Sequence, residues 1–516
     1  MDEAINPTVS PEPETEENRR VFKTHECVFA WLCLLGAFFY CESYPILNEP
    51  LGGFIYLIFL FTVSTVVLKI RSVKPDRLSV AAAISGVVVG CALIICSNAF
   101  LRFLAFNFSA LMFCYYLYSA MGNSIKKGFS DLLLMDFFKA LVIMPFTAFS
   151  QLLRALFSGR ARKGGRALLK VLIGVCCAAV PALLIFSLLS YDSGFMALCE
   201  RIFDFRDFNL ARHLVCLVFS IPVGMYLFGA FIASADRKCA DFITEESCGS
   251  ASQKIKVAPL ITVLAASLPI IFIYVVFFVS QWSYYISGFT GVLPENFSHA
   301  EYAREGFFQL CSVSVINLAL LTAIALLMKR EKRSSSLIFK ILALIFSLFT
   351  LILISTAIAK LVMYIDRYGL TTRRVLAAWF MAVLAIVFIL VAIKQFVSRL
   401  KLVAISFCIL VVMFAGLSLS NVDGYIARYN VDRYVEGSLD AVDFKAMDEL
   451  GLAAVPEIVR LGEIMETTVG ADPLYPHVRS YLERVKIEHF NESDPAGIFE
   501  YTLPYLKAKK ALEAGG

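Results

Sequence analysis

Residues 374–419 read RVLAAWFMAVLAIVFILVAIKQFVSRLKLVAISFCILVVMFAGLSL. Two apolar runs meet the ~20-residue length of a bilayer-spanning helix and are separated by a short basic turn around Arg399 and Lys401. Neither run has a polar face to offer water, so the pair reads as a transmembrane hairpin. The same pattern recurs upstream. Spans are expected at 25–41, 51–70, 78–97, 103–120, 167–189, 211–234, 257–280, 305–328, 337–361, 374–396 and 401–419, about eleven in all. The fold class that follows is all-α: a polytopic transmembrane helical bundle, with a small C-terminal α-helical domain after it.

Composition agrees. Of 516 residues, 59% are hydrophobic and 17% charged, against roughly 25% charged in an average soluble domain. A soluble enzyme, a secreted disulfide scaffold and a disordered chain are all excluded. The 14 cysteines lie mostly inside apolar runs, with no C-x-x-C and no H-E-x-x-H. They read as small hydrophobes, and no metal or other cofactor is expected. Whether Cys41 and Cys199 pair is left open by the spacing.

The net charge of +5 hides two opposed parts. Residues 421–516 carry 10 Lys/Arg against 17 Asp/Glu, so the remainder is strongly basic. Basic residues on a membrane domain record orientation, and no nucleic-acid partner is implied. They concentrate in every second loop: eight in 121–166 and four in 235–256, against two in 190–210 and one in 281–304. Cytoplasmic loops retain Lys and Arg, so the N-terminus is expected inside and, after eleven spans, the acidic tail outside. The domains expected are a disordered cytoplasmic arm at 1–24, a transmembrane domain at 25–420 and an extracytoplasmic helical domain at 421–516. The arm is acidic and Pro-rich (Pro7, Pro11, Pro13), and the apolar run after it lacks a small-x-small cleavage site.

One stretch resists assignment as a span. Residues 131–157, DLLLMDFFKALVIMPFTAFSQLLRALF, place Asp131, Asp136, Lys139 and Arg154 among apolar residues, with Pro145 in the middle. Charges left in hydrocarbon cost ~2.5–3.5 kcal/mol each, so an interfacial amphipathic helix broken at Pro145 is expected. In the tail, Ser438 is the expected helix cap before FKAMDE and Gly451 the stop, with three further short helices following.

Three polar, aromatic-rich stretches share the outer face on this topology: EYAREGFFQL (301–310), MYIDRYGLTTRR (363–374) and NVDGYIARYNVDRY (421–434). Their candidate binding or docking residues are Glu301, Arg304, Glu305, Asp366, Arg367, Arg373, Asn421, Asp423, Arg428, Tyr429, Asn430 and Arg433, with Asn317 buried in span eight. Opposite charges on neighbouring loops tie a tail to its membrane domain; alternatively, arginine forks hold a carboxylate or phosphate ligand. Asn317 reads either as a buried binding group or as a hydrogen-bonding link between helices. Catalytic residues are not singled out.

These three stretches, with LD at 439–440 and LGLAAVPEI at 450–458, resemble a family of bacterial multi-pass membrane proteins. It is the domain of unknown function numbered four thousand one hundred and seventy-three. The resemblance implies a bacterial inner-membrane component and brings no established activity. The functional reading is an envelope-associated scaffold, sensor or accessory component, with the lipid bilayer around it and an envelope protein or small-molecule ligand at its outer face. A small-molecule or lipid transporter is the alternative. A membrane enzyme with Asp423 or Glu301 as general base is the third.

Overall fold

The computed structural model describes residues 22–43, 50–156, 210–236, 243–280, 299–329, 333–467, 473–490 and 501–514, with two isolated positions at 185 and 189. Among them every element is helical except a single bridge between Ala258 and Met328. Among the described residues, ten helices are long and apolar enough to cross a membrane. They match ten of the eleven expected spans; the eleventh, 167–189, falls almost wholly outside the described residues.

The helices fall into two groups. The first contains α1 (Thr24–Ser43), α2 (Pro50–Ile70), α3 (Arg77–Gly90) with its continuation α4 (Ala92–Ile95), and α5 (Ala99–Ala120). It also holds α6 (Leu133–Phe138), a π-turn at Lys139–Ile143, α7 (Met144–Thr147), α8 (Gln151–Leu156) and α9 (Leu210–Asp236). A short exposed helix, α10 (Glu245–Ile255), leads to the second group. That group is α11 (Leu260–Ser280), α12 (His299–Leu327), α13 (Arg333–Tyr368) and α14 (Thr372–Phe396). At 36 residues α13 is ~54 Å long, well beyond a ~30 Å hydrocarbon core, so its last turns carry Asp366 and Arg367 clear of the lipid.

The last span, α15 (Leu402–Leu419), joins the two groups. Its Phe407 packs on Phe137 and its Phe414 on Phe108, in the first group. From the second group, Trp379 packs on Phe414 and donates its indole N–H to the Met413 carbonyl at 3.1 Å. The tail follows as α16 (Val422–Val435), α17 (Phe444–Glu449), α18 (Val455–Thr467), α19 (Tyr475–His489) and α20 (Leu503–Ala514). The cap of α17 is Asp443, not the expected Ser438: the Asp443 carboxylate takes the Lys445 and Ala446 N–H groups. Ser438 instead hydrogen-bonds Arg433, at the end of α16.

Contacts between loops sort the helix ends onto two faces. On one, Glu26 meets Arg71, Asp76 meets Ser119, Asn123 meets the Ser234 carbonyl, and Lys126 meets Glu245. Lys401 reaches the Phe129 carbonyl there, and the Asp131 carboxylate accepts the Val403 N–H. This is the face that gathers lysines and arginines. On the other, Glu42 meets His213 at 2.6 Å, and the tail docks. The alternation of basic loops therefore matches the alternation of helix ends.

Residues 133–156 differ from expectation in two ways. Their helix continues through Pro145 and breaks after Thr147, at 148–150. Proline has no N–H to give the carbonyl four residues back; the Tyr226 hydroxyl donates to that carbonyl, Leu141 O, at 2.8 Å. Two of the four charges are also not on a wet face, whereas Asp131 and Arg154 are exposed. Asp136 and Lys139 are 2% and 1% exposed, packed beneath α5 and the loop before α10.

Candidate functional site

The site is where the tail meets the membrane domain, and its local sequence explains its shape. Asn421 takes a left-handed backbone conformation (φ 46°), turning the chain from α15 into α16. One turn on, a Cβ at Gly424 would collide with the Asn421 side-chain amide. Any larger residue there would have to push the Asn421 amide aside.

The turn points Asp423 inward, to 0% exposure. Its Oδ2 accepts the backbone N–H groups of Asn98 at 2.9 Å and Ser97 at 3.1 Å. These precede α5, whose own cap is the Asn98 side chain, accepting the Leu101 N–H at 3.1 Å. A carboxylate from the tail thus completes the N-terminus of a spanning helix, where unpaired N–H groups and the helix dipole favour negative charge. Burial pushes the Asp423 carboxyl above its ordinary range. The two backbone hydrogen bonds, the Arg102 guanidinium and the Thr372 hydroxyl hold it down. Ser97 is used twice, since its hydroxyl accepts the Ala453 N–H at 3.2 Å.

Asn430 makes the second connection. Its Oδ1 accepts the Leu370 N–H at 2.7 Å, and its Nδ2 donates to the Leu370 carbonyl at 2.8 Å. One buried amide therefore satisfies both polar groups of one peptide residue. The preceding Gly369 sits at φ +73°, and a Cβ there would stand 2.5 Å from Asn430 Oδ1. The sequence RYGL at 367–370 is fitted to Asn430.

Arg433 makes the third. Its guanidinium donates to the Asp366 carboxylate at 3.2 Å, the Asp366 carbonyl at 3.1 Å, the Ser438 hydroxyl at 2.9 Å and the Tyr429 hydroxyl at 3.1 Å. The planar fork suits such convergence on one donor group. Around this centre lie looser ion pairs: Arg367 with Asp440 at 3.1 Å, Arg373 with Glu449 at 3.8 Å and Arg428 with Asp432 at 3.6 Å. They are exposed, and such pairs contribute ~0–1 kcal/mol.

Asp366, Arg367, Arg373, Asn421, Asp423, Asn430 and Arg433 are thus brought together at the junction, whereas Tyr429 accepts from Arg433 on its own helix and Arg428 lies exposed beside Asp432 of that helix. Asn317 is elsewhere. Its amide donates to Thr350 at 2.9 Å and accepts from Tyr274 at 2.5 Å, linking α11, α12 and α13 within the membrane. The side chains of Glu301, Arg304 and Glu305 lie outside the described residues. So does Cys199; Cys41 is a free thiol. Sequence reasoning missed Ser97 and Asn98, although a small polar pair just before an apolar run is the ordinary signal of a helix cap. It also missed the interior cluster in which Asp136 Oδ1 accepts from Tyr118 at 2.7 Å and the Ile125 N–H at 2.9 Å.

The family described as Domain of unknown function (DUF4153) matches residues 83–461, and the chain belongs to it. The matching family is therefore not the one numbered four thousand one hundred and seventy-three. The match contains both sides of the junction, from Ser97 to Ala453. No curated protein and no solved structure matches the chain.

Proposed function

We propose that this DUF4153 member is a membrane scaffold or accessory component of a bacterial inner membrane, whose docked tail presents an outward-facing surface to an envelope protein or small-molecule ligand. One observation carries this: the charged and polar side chains of the 363–374 and 421–434 stretches engage each other, so the junction is built to hold the tail. The same engagement disfavours Asp423 as a general base, because a sealed carboxylate is out of reach of an outside substrate. With the N-terminus inside, as the basic loops favour, the tail is extracytoplasmic. What it offers a partner is the exposed side of α16, where Tyr425 is 61% exposed and Arg428 is uncovered.

The test has two readouts. Protease should remove an epitope tag placed after Gly516 in intact spheroplasts; protection until lysis overturns the orientation. The pair Tyr425→Ala and Arg428→Ala should leave the melting temperature of the extracted protein unchanged, since neither side chain is packed. It should nevertheless reproduce the phenotype of deleting the gene. Full function with both side chains removed overturns the scaffold reading. The transporter reading has one observation in its favour, the broken path of residues 133–156 inside the first helix group.

A further inference from the structure

α1 and α9 run antiparallel, and each carries a buried stripe at a spacing of four residues. On α1 it is Phe29, Cys33, Ala37 and Cys41; on α9 it is Cys216, Ser220, Gly224 and Phe228. At one end Phe29 packs on Phe228, with ring centroids 6.2 Å apart. Twelve positions later on α1, and twelve earlier on α9, the Cys216 thiol donates to the Cys41 carbonyl at 3.1 Å. Equal spacing on both helices means that one register holds between the two contacts. Within that stretch the Leu34 Cα stands 3.3 Å from the place of a Gly224 Cβ. The Leu34 and Gly224 Cα atoms are therefore within ~5 Å, an approach that small residues permit.

The register sets the two cysteines opposite each other. Cys41 lies in the last turn of α1, whose final carbonyls lack intrahelical donors, and the Cys216 thiol serves one of them. Just beyond, Glu42 meets His213 at 2.6 Å and ties the same two helix ends. A carbonyl oxygen stands ~3 Å from the Cβ of its own residue, so the Cys216 sulfur lies within ~6 Å of Cys41 Cβ. Turning Cys41 about its Cα–Cβ bond carries one sulfur toward the other. A disulfide asks for Cα atoms roughly 4.4–6.8 Å apart, and these helices already come that close at Leu34 and Gly224. Both residues are thiols in the structure.

The pair sits at the tail face. Tyr40, beside Cys41, stacks on Phe106 at 5.4 Å, in the opening turns of α5. The same end of α5 receives the Asp423 carboxylate.

We propose that Cys41 and Cys216 form a disulfide bond that staples α1 to α9 at the tail face. The inference rests on the orientation proposed above, because extracytoplasmic surroundings are oxidising whereas the cytoplasm keeps thiols reduced. The oxidant is a protein disulfide of the envelope. One thiolate of the pair attacks it, forming a mixed disulfide and expelling one of its sulfurs; the other thiolate of the pair then displaces the second. The Cys41–Cys216 bond forms, two electrons reduce the oxidant to a dithiol, and the two thiol protons end on its sulfurs. The bond spans 175 positions of sequence, and so long a closed loop restricts the unfolded chain strongly.

The test uses the full chain, taken from membranes into denaturant with N-ethylmaleimide, digested without reductant and read by mass spectrometry. The expected product is a linked pair of peptides carrying Cys41 and Cys216, lost on reduction. Recovery of both cysteines as maleimide adducts, or of Cys41 linked to Cys199, overturns the bridge. Protease treatment of the tag after Gly516 runs alongside and separates two failures. Unlinked thiols with an accessible tag mean that the pairing itself is wrong; unlinked thiols with a protected tag remove the orientation and the bridge with it. Melting temperature gives a second readout. Cys216→Ser keeps a donor for the Cys41 carbonyl, and Cys41→Ser leaves that carbonyl in place, so without a bridge each change is mild. With it, each single variant should lose the same several degrees, and the double variant no more than either. Unchanged melting temperatures, or losses that add, overturn the staple.

Discussion

Asp423→Ala is expected to detach the tail from the membrane domain, lowering stability by ~2–4 kcal/mol, the combined cost of an uncapped helix and two orphaned N–H groups. Truncation removes the acceptor of the Ser97 and Asn98 N–H groups and takes away the counter-charge that faces Arg102. Detachment is read as new protease sites within residues 436–443, between α16 and α17, and a lower melting temperature of the extracted protein. Asp423→Asn separates charge from shape, because an amide oxygen still accepts both N–H groups. Its pH dependence has a definite sign. The folded carboxyl titrates above its ordinary value of 3.8, so the folded state holds its proton longer than the unfolded chain does. Stability from this group is therefore greatest below the unfolded value and falls as pH rises through the folded one. Wild-type melting temperature should decline over that window, and the Asn variant should lose that part of the decline. An identical pH profile in both would show that the carboxylate is not the titrating group.

The junction also shows how far sequence carries. Spans are legible because a ~20-residue apolar run is a strong, local and redundant signal, and no tertiary contact is needed to read it. The motif residues around 366–374 and 421–434 were legible as a set for a weaker reason: acids, arginines and tyrosines stood out against an apolar background. Their partners were not. That Asp423 accepts a helix-capping N–H 325 positions earlier depends on a tertiary approach that no window of sequence contains. Asn430 and Gly369 are mutually required, yet each alone is an ordinary residue in an ordinary loop. Arg102, at the start of the α5 apolar run, faces that buried carboxylate, and nothing in its own stretch of sequence announces the pairing.

The misread segment fails for a different reason. Polar residues at helical spacing in 131–157 say that one stripe of the helix is polar, and periodicity does not distinguish a stripe turned to water from one turned to other polar groups. Asp136 faces Tyr118, the Ile125 N–H and Lys139, so its stripe is satisfied inside the protein. Pro145 misled in the same way. It forbids one hydrogen bond, and the expected break was inferred from that loss; the Tyr226 hydroxyl replaces the missing donor, and the helix goes on.

Gly229→Ala is the substitution that should disturb this segment most. The added Cβ would fall inside the Pro145 carbonyl oxygen and stand 3.3 Å from both the carbonyl carbon and oxygen of Ala148. All three are backbone atoms of a chain already bent through a π-turn, and none is the loose end of a side chain. Two helical segments must separate, and overpacking of this kind costs ~1–3 kcal/mol or more. Gly224→Ala is milder, since its Cβ would stand 3.3 Å from Leu34 Cα and 3.4 Å from Leu152 Cδ2, the movable end of a side chain. At Gly416, in α15, nothing lies within 4 Å, and alanine there should be neutral or stabilising by up to ~1 kcal/mol through helix propensity. Thermal melts of the three variants should therefore rank Gly229→Ala well below Gly224→Ala, with Gly416→Ala at or above wild type. A double variant is the sharper check: Tyr226→Phe, which removes the hydroxyl that holds the Leu141 carbonyl, should add less damage in the Gly229→Ala background than in wild type. Once the segment has moved off α9, that hydrogen bond is already lost, and contacts broken together do not add. Full additivity of the two losses would mean that Gly229 and Tyr226 act on separate parts of the bundle.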